Sequence, residues 1–468
     1  MVKAVAAVDL GATSGRVMLG YVGHDELRLT PVARFPNGPV TVGDELHWDV
    51  TGLFDHVVTG LRSAAREEPE LASVAVDSWA VDYGLMRGGA LTAEPFHYRD
   101  SRTARGVEAV HQRVEPAALY AATGLQHLPF NTVYQLADDQ LAGRLDGAER
   151  FLLVPDLLTY WLTGNQFAER TNASTTALFN VHTGEWDDEL IARVGLPRDI
   201  FPELISAGSA VGGLLPDIAE RVGVKGLEVS TTGSHDTASA IVAMPTTDTD
   251  VAYISSGTWA LVGVELEQPV LTVASRAANF TNEGGVDGRV RYLRNVMGLW
   301  ILSETIRGWG DELIPLLEAA ALEKAPSALF DVDDPRFSPP GDMPQRIADW
   351  YTERGLPVPF GKAALVRAIL ESLADAYAAT VRQASELSGK TVNAIQLMGG
   401  GSQNTLLCQL VADRSGLPVH AGPTEATAIG NVLVQARAQG IISGSLESLR
   451  AIVAAAFTPT VYTPRTLR

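Results

Sequence analysis

Cysteine is almost absent from this chain, since Cys408 is the only one among its 468 residues. A single thiol cannot form an intrachain disulfide, which fits a reducing compartment. No uncharged apolar run reaches the roughly 20 residues needed to cross a bilayer. An acidic residue, Asp9, also precedes any apolar segment long enough to serve as a secretion signal. We therefore expect a cytoplasmic protein with no membrane partner.

Basic residues are outnumbered, with 36 Lys and Arg against 55 Asp and Glu and a formal charge of −19. This balance argues against nucleic-acid binding, which needs clustered basic side chains. It does not exclude an anionic substrate, because backbone N–H groups and one arginine can hold an anion locally. The nine histidines show no zinc-binding spacing, and no feature implies a protein partner.

The length exceeds that of one ordinary hydrophobic core, so two domains are expected. An apolar strand, a glycine turn and a second strand predict a β-hairpin over residues 4–21, and the same pattern recurs over 251–264. With alternating strands and helices between them, the pattern predicts an α/β fold of two related lobes. We place the N-terminal lobe at 1–243, possibly joined by 445–468, and the C-terminal lobe at 244–444.

Three glycine-rich turns have residues that suit phosphate binding: Asp9–Arg16, Ser255–Trp259 and Gly399–Asn404. In the first turn, Asp9 suits a hydrated Mg²⁺ ion, and Arg16 offers a charged fork to a phosphoryl group. Ordinary hairpin turns would explain the first two turns equally well. The third lies between a predicted strand and a predicted helix, where backbone without side chains lets a nucleotide approach closely. Packing could also explain glycines at this position, but one or two would usually be enough.

Asp236 begins a predicted helix in the run Gly233–Ser239. Such an aspartate, or Ser234, commonly caps the helix. Alternatively, Asp236 is a general base that takes a proton from a hydroxyl group. Its neighbour His235 could then bind a sugar hydroxyl, or it could be a local structural donor. A base together with phosphate-suited turns favours phosphoryl transfer to an alcohol.

One apparent phosphate site is rejected. The run Ser388–Thr391 resembles the end of a P-loop, but Ala384 occupies the position of its first glycine. The run also follows a predicted helix and precedes a strand, which reverses the order that a P-loop requires.

Motifs distributed over almost the whole chain resemble those of the FGGY family of sugar kinases, and several are typical of its L-rhamnulose branch. The motifs are Val8–Leu19, Asp77–Asp82, Tyr98–Thr103, Leu128–Thr132, Thr171–Thr176, Ser234–Ser239, Ser255–Trp259, Thr281–Gly285, Asn295–Trp300, Gly399–Asn404 and Ala421–Ala426. The resemblance implies the actin and hexokinase ATPase (ribonuclease H-like) fold, with an active-site cleft between a sugar-binding and a nucleotide-binding lobe. It also implies phosphorylation of L-rhamnulose at its 1-hydroxyl by ATP and Mg²⁺, in L-rhamnose breakdown.

The same resemblance assigns roles to individual residues. Asp236 would be the proton acceptor, and Asp9 remains the candidate for holding the metal through water. The sugar would contact Ala80, His235, Asp236, Thr237 and Asn295. ATP would contact Ala12, Thr13, Ser14, Gly15, Arg16, Thr258, Ser303 and Gly400. Two of these depart from the family pattern, which has glycine at position 80 and a longer glutamine at position 303.

Two other functions fit the same motifs. One is a kinase for another ketose, such as L-fuculose, L-ribulose or D-xylulose, with Ala80 as the specificity change. The other is an actin-like switch that binds ATP without transferring a phosphoryl group to a sugar, because fold alone does not determine function.

Overall fold

The computed structural model describes residues 2–23 and 26–465. Its strands are β1 Lys3–Leu10, β2 Ser14–Gly23, β3 Glu26–Pro36, β4 Val40–Val42, β5 Glu45–His47, β6 Ser73–Ser78, β7 Tyr83–Arg87, β8 Ala90–Leu91, β9 Arg150–Leu153, β10 Ala168–Glu169, β11 Phe179–Asn180, β12 Glu185–Trp186, β13 Leu204–Ile205, β14 Ala210–Gly213, β15 Glu228–Ser230, β16 Val251–Ser256, β17 Trp259–Leu266, β18 Thr281–Gly284, β19 Val290–Met297, β20 Ala394–Met398, β21 Val419–Ala421 and β22 Thr460–Tyr462.

The α-helices are α1 Val50–Glu67, α2 Thr103–His111, α3 Pro116–Thr123, α4 Thr132–Leu141, α5 Val154–Thr163, α6 Arg170–Ala173, α7 Asp188–Val194, α8 Pro216–Val222, α9 Asp236–Val242, α10 Val273–Ala277, α11 Trp300–Trp309, α12 Leu313–Leu322, α13 Met343–Glu353, α14 Lys362–Ser388, α15 Thr405–Ser415, α16 Ala426–Ala438 and α17 Leu446–Ala456. The predicted α/β class is therefore confirmed. Within the described residues, none of these helices has the length and apolar character of a membrane span.

The chain forms two compact units. The first contains the chain up to Thr247, together with Leu266–Tyr292 and Ala426–Phe457. The second contains Asp248–Glu265 and Leu293–Glu425, together with the chain from Thr458 onward. Thus residues 244–247, 266–292 and 426–444 pack with the first unit, although the predicted boundary assigned them to the second lobe. Residues 458–465 pack with the second unit, although 445–468 was the predicted extension of the first lobe.

The first unit is built on a six-stranded sheet in the order β14-β15-β6-β1-β2-β3. The predicted hairpin at its centre is confirmed, because β1 and β2 pair antiparallel. Strand β6 runs parallel to β1 on the other side, so that Asp9 and Asp77 are register partners near the ends of the two strands. The sheet therefore brings two carboxylates to one edge of the unit.

Helix α16 reaches this sheet through buried amide side chains. Gln435 donates to the carbonyl of Ala6 over 2.9 Å and accepts from the Ser73 hydroxyl over 2.7 Å, and Asn431 donates to the Asp77 carboxylate. A Cβ atom at Gly430 would lie 1.8 Å from the carbonyl oxygen of Ser239 on α9. Only glycine allows this approach, so α16 fixes the position of α9.

In the second unit, the predicted second hairpin is also confirmed, since β16 and β17 pair antiparallel. Strand β20 runs parallel to β16 on the other side, followed by β21 and β22. The apolar spacing of residues 361–387 predicts a long helix, and the structure confirms it as α14, whose C-cap Gly389 has the left-handed conformation. Because Ser388 is the last residue of α14, the rejected P-loop resemblance at 388–391 is a helix C-terminus.

Candidate active site

The segment before α9 is held by contacts from two other elements. The backbone N–H and the hydroxyl of Ser234 both donate to the Glu169 carboxylate over 3.0 Å. The Ser234 carbonyl accepts from the backbone N–H of Ser78 at the end of β6, over 2.9 Å. These bonds place the two residues that follow, His235 and Asp236, beside the sheet edge that carries Asp9 and Asp77.

Asp236 is the first residue of α9 and does not cap it. The N-cap position belongs to His235, which makes no side-chain capping bond, and the Asp236 carboxylate instead accepts from the Thr237 hydroxyl over 3.0 Å. The alternative cap, Ser234, bonds Glu169. Neither of the two residues predicted as a cap therefore occupies the N-cap position of α9.

The electrostatic surroundings suit Asp236 to proton transfer. Its side chain is 31% exposed, so a ligand can reach it. Burial, followed by the negative charge of Asp9, raises the pKa of Asp236 to about 7. A carboxyl group with a pKa near the ambient pH is well matched to general-base catalysis.

His235 is a neutral imidazole with a defined tautomer. Arg291 donates to its Nδ1 over 2.9 Å, so Nδ1 accepts and the proton lies on Nε2. Burial and the Arg291 charge hold the pKa of His235 well below its usual range. The Nε2 atom lies 3.4 Å from the Asp236 carboxylate and is thus directed to the same region.

Arg291 and its partners contact the candidate site residues, and the sequence did not reveal them. The Arg291 side chain is fully buried, forms an ion pair with Glu283 over 3.2 Å and donates to the Gly284 carbonyl over 2.9 Å. Glu169, which holds Ser234, is buried as well. The sequence does contain a sign of the role of Arg291: it lies in a largely apolar strand, where a charged side chain is rarely buried unless it has a partner.

The turn between β1 and β2 places its predicted residues at the sheet edge. The Arg16 guanidinium bonds the Asp9 carboxylate, with distances of 2.9 Å from Nε and 2.8 Å from a terminal nitrogen. Thr13 and Ser14 are exposed, and Ala12 is partly exposed. A Cβ at Gly15 would lie 2.1 Å from the Phe35 ring, so packing explains that glycine.

Asp77 is a third carboxylate in this group, and the sequence assigned it no role. It is fully buried, and one of its oxygens accepts from Asn431. Burial, then the charges of Asp9 and Asp236, raise the pKa of Asp77 well above its usual range. Of the predicted site residues, the first unit therefore brings Asp9, Arg16 and Asp236 into one electrostatic group.

The apolar run of residues 80–86 predicts a strand that starts at Ala80; this start was wrong, because β7 begins only at Tyr83. Val81 has a left-handed backbone with φ of 67°, an uncommon conformation for a β-branched residue. The buried Asp82 carboxylate accepts from the indole nitrogens of Trp48 and Trp79, which holds the turn. Ala80 is not among the residues with positive φ, so its methyl group is accommodated without backbone strain.

The second unit contains the other two predicted phosphate turns. Thr258 lies between β16 and β17, and its carbonyl accepts from the backbone N–H of Trp300 at the start of α11 over 3.2 Å. A Cβ at Gly298 would lie 2.6 Å from the Trp259 backbone, so the two segments are in close contact. Ser303 is exposed on α11, and Asn295 is partly exposed on β19.

The three glycines after β20 have different structural requirements. Gly399 has a φ of 78°, and a Cβ at Gly401 would lie 2.2 Å from the Ser256 hydroxyl oxygen. Gly400 has no such requirement, because a Cβ there would have no atom within 4 Å. Backbone conformation and packing thus explain two of the glycines but leave Gly400 as open, exposed backbone.

Magnesium would fit the first unit only as a hydrated ion. The described residues contain no group of three side chains that could bind a metal directly. Asp9 and Asp77 do provide closely spaced carboxylates, whose mutual repulsion a cation would relieve. This matches the usual binding of Mg²⁺ through one or two carboxylates, water and substrate phosphates.

Comparison with known proteins identifies the class. The N-terminal domain of the FGGY family of carbohydrate kinases matches residues 95–243, and the C-terminal domain of that family matches residues 252–439. The chain belongs to the FGGY family and is a sugar kinase that uses ATP.

Two relatives within this class are similar over nearly the whole chain. The chain is 40% identical over 440 residues to a rhamnulokinase of Bacteroides thetaiotaomicron, covering 93% of this chain and 90% of the relative. It is also 40% identical over 470 residues to a rhamnulokinase of Pectobacterium atrosepticum, covering 99% of this chain and 94% of the relative.

Solved structures confirm the predicted fold. A xylulose kinase of Lactobacillus acidophilus superposes with a TM-score of 0.80 at 17% identity, covering 99% of this chain and 94% of the other. A Plasmodium falciparum glycerol kinase with ADP gives 0.76 at 13% identity over the same shares. The two-domain actin and hexokinase type is therefore established for this chain.

Proposed function

We propose that this sugar kinase transfers the terminal phosphoryl group of ATP to the 1-hydroxyl of L-rhamnulose, as a step of L-rhamnose catabolism. The observation that carries the proposal is Asp236, a helix-start carboxylate that does not cap its helix and has a pKa near 7. The rhamnulokinase relatives, similar over nearly the whole chain, support the choice of sugar.

In this mechanism Asp236 accepts the proton of the sugar 1-hydroxyl as its oxygen attacks the phosphoryl group. His235 donates from Nε2 to a sugar hydroxyl, since its Nδ1 is occupied by Arg291. Thr237 orients the carboxylate through its own hydroxyl. We assign further sugar contacts to Ala80 and Asn295, as the family motifs imply.

The proposed ATP contacts are backbone and hydroxyl groups in the two sets of turns. They are Ala12, Thr13, Ser14, Gly15, Arg16, Thr258, Ser303 and Gly400. Mg²⁺, held by Asp9 through water, would neutralise charge on the phosphates. Arg16 is already oriented by Asp9 and would add a second positive charge. The use of ATP and the buried, unpaired thiol of Cys408 support a cytoplasmic place of action.

Gly400 provides a test of the nucleotide site. We expect Gly400→Ala to leave thermal stability unchanged, because the new methyl group meets no protein atom, and to raise KM for ATP about tenfold by displacing the nucleotide. Gly401→Ala is the matched control, since its methyl group would collide with Ser256 and lower stability by about 1–3 kcal/mol. An unchanged KM for ATP in Gly400→Ala would remove Gly400 from the site.

The substrate assignment is tested with five acceptors: L-rhamnulose, L-fuculose, L-ribulose, D-xylulose and glycerol. In a coupled ADP-release assay we expect kcat/KM to be at least about tenfold higher for L-rhamnulose than for the others. The product should carry phosphate on the 1-oxygen by ³¹P–¹³C coupling in NMR. A different ketose at the top of the ranking reassigns the substrate, and equal background turnover on all five supports the ATP switch instead.

A further inference from the structure

A cavity lies within the first unit, and none of the residues assigned above to sugar, ATP or metal lines it. Its volume of about 290 Å³ is at the lower end of the range for small-molecule sites and suits a single sugar ring better than a nucleotide. It is lined by His111, Pro116, Leu119, Tyr120, Thr123, Leu125, Gln126, His127, Asn131, Tyr134, Ala177, Arg276, Ala277 and Asn279. The lining contains no acidic residue, although the chain carries a formal charge of −19.

A chain of hydrogen bonds joins the two histidines of this cavity through Tyr134. The Tyr134 hydroxyl lies 3.1 Å from Nε2 of His111 and 3.0 Å from Nδ1 of His127. Nδ1 of His111 faces the Val114 carbonyl and must donate to it, so Nε2 of His111 accepts from Tyr134. The Tyr134 oxygen then accepts from Nδ1 of His127. This sequence leaves Nε2 of His127 as a bare acceptor.

His127 is held in place from its backbone as well as its ring. Asn279 accepts from the His127 N–H over 2.8 Å and donates to the His127 carbonyl over 3.2 Å. His127 is an exposed residue, so a ligand can reach the Nε2 atom of its ring. Partial burial, then the neighbouring His111, lower the pKa of His127, which favours the neutral ring, whose Nε2 can accept a hydrogen bond from a hydroxyl group.

Arg276 supplies the positive charge. It lines the cavity on α10, and its guanidinium makes no hydrogen bond or ion pair with any part of the chain that the structure describes. An unpaired guanidinium beside a neutral acceptor matches a ligand that has both a negative group and hydroxyls.

We propose that this cavity binds a small polyhydroxylated anion, a sugar phosphate or a sugar acid, whose charged group bonds Arg276 and whose hydroxyl donates to Nε2 of His127. The site is distinct from the catalytic residues and goes beyond the kinase activity. The buried residues Gln126 and Asn131 also line the cavity, as do the apolar residues Leu119 and Leu125.

Binding is measured by isothermal titration calorimetry on the full chain with four probes: D-fructose 6-phosphate, D-gluconate, inorganic phosphate and uncharged D-sorbitol. We expect one of the two hydroxylated anions to bind at least tenfold more tightly than phosphate or sorbitol, and the stronger of the two identifies the ligand type. Arg276→Gln should weaken that binding at least about tenfold, because a charge-assisted bond is lost. His127→Phe should weaken it as well.

Two further variants test whether binding depends on this cavity rather than on the overall charge of the protein. Ala277→Leu should fill the cavity and abolish binding, whereas Arg66→Gln, an exposed arginine outside the cavity lining, should bind as the parent does. All four variants should retain the parental kcat for the preferred sugar. The proposal is overturned if no probe binds up to about 10 mM, if phosphate alone binds as well as the hydroxylated anions, or if Arg276→Gln binds unchanged.

Discussion

Asp236→Asn is expected to lower kcat by about 10²–10⁴-fold while KM for sugar and ATP changes little, because the amide keeps the shape of the side chain but accepts no proton. The steady-state assay with L-rhamnulose measures this directly. Asp217→Asn is the matched control, since Asp217 also lies in the first turn of a helix but is exposed. It should retain full activity.

The pH profile adds an independent readout for the same residue. If Asp236 is the base, it acts in its deprotonated form; burial raises its pKa to about 7, so kcat/KM should fall about tenfold for each pH unit below 7. The residual activity of Asp236→Asn should lose this acid limb. A loss smaller than tenfold in the variant, or ATP hydrolysis indifferent to sugar, would contradict the role of base and favour the switch.

Arg291→Met is expected to lower the free energy of unfolding by about 3–5 kcal/mol, because it leaves the buried Glu283 without its ion-pair partner. Denaturant unfolding measures the change. Arg221→Met is the control: Arg221 pairs with Asp55, but both side chains are largely exposed, so its loss should cost less than about 1 kcal/mol.

A double variant distinguishes an unpaired charge from a lost packing contact. Combining Arg291→Met with Glu283→Gln should recover part of the stability, because the second change removes the uncompensated carboxylate. If the two losses simply add, or if Arg291→Met costs no more than Arg221→Met, the buried pair does not stabilise the unit as argued.

The elements that could be predicted from the sequence have local causes. Both hairpins follow from glycine turns between apolar strands, and α14 ends where Gly389 allows a left-handed residue. Asn404 accepts from the Leu407 N–H, as expected of a helix cap. Each of these features depends on residues that are close together in the sequence, which is why a sequence pattern can predict it.

The parts that could not be predicted depend on contacts distant in sequence. Arg291 is hydrogen-bonded to His235, which is 56 positions away in the sequence, and Glu169 is hydrogen-bonded to Ser234, which is 65 positions away. The sequence suggested that Asp236 could be an ordinary cap, and only the coordinates show that its helix has no side-chain cap. The small residues Ala426, Ala428, Gly430 and Ala436 predict that the helix α16 packs closely on a neighbour, but no local pattern identifies α9 as that neighbour.

The attachment of α16 to the first unit has a consequence for the order of folding. Its bonds to Ala6, Ser73 and Asp77 span more than 350 positions of the chain. During synthesis, the N-terminal sheet leaves the ribosome long before the helix that completes it. The Asp236 carboxylate can therefore acquire its final surroundings only after nearly the entire polypeptide has been translated.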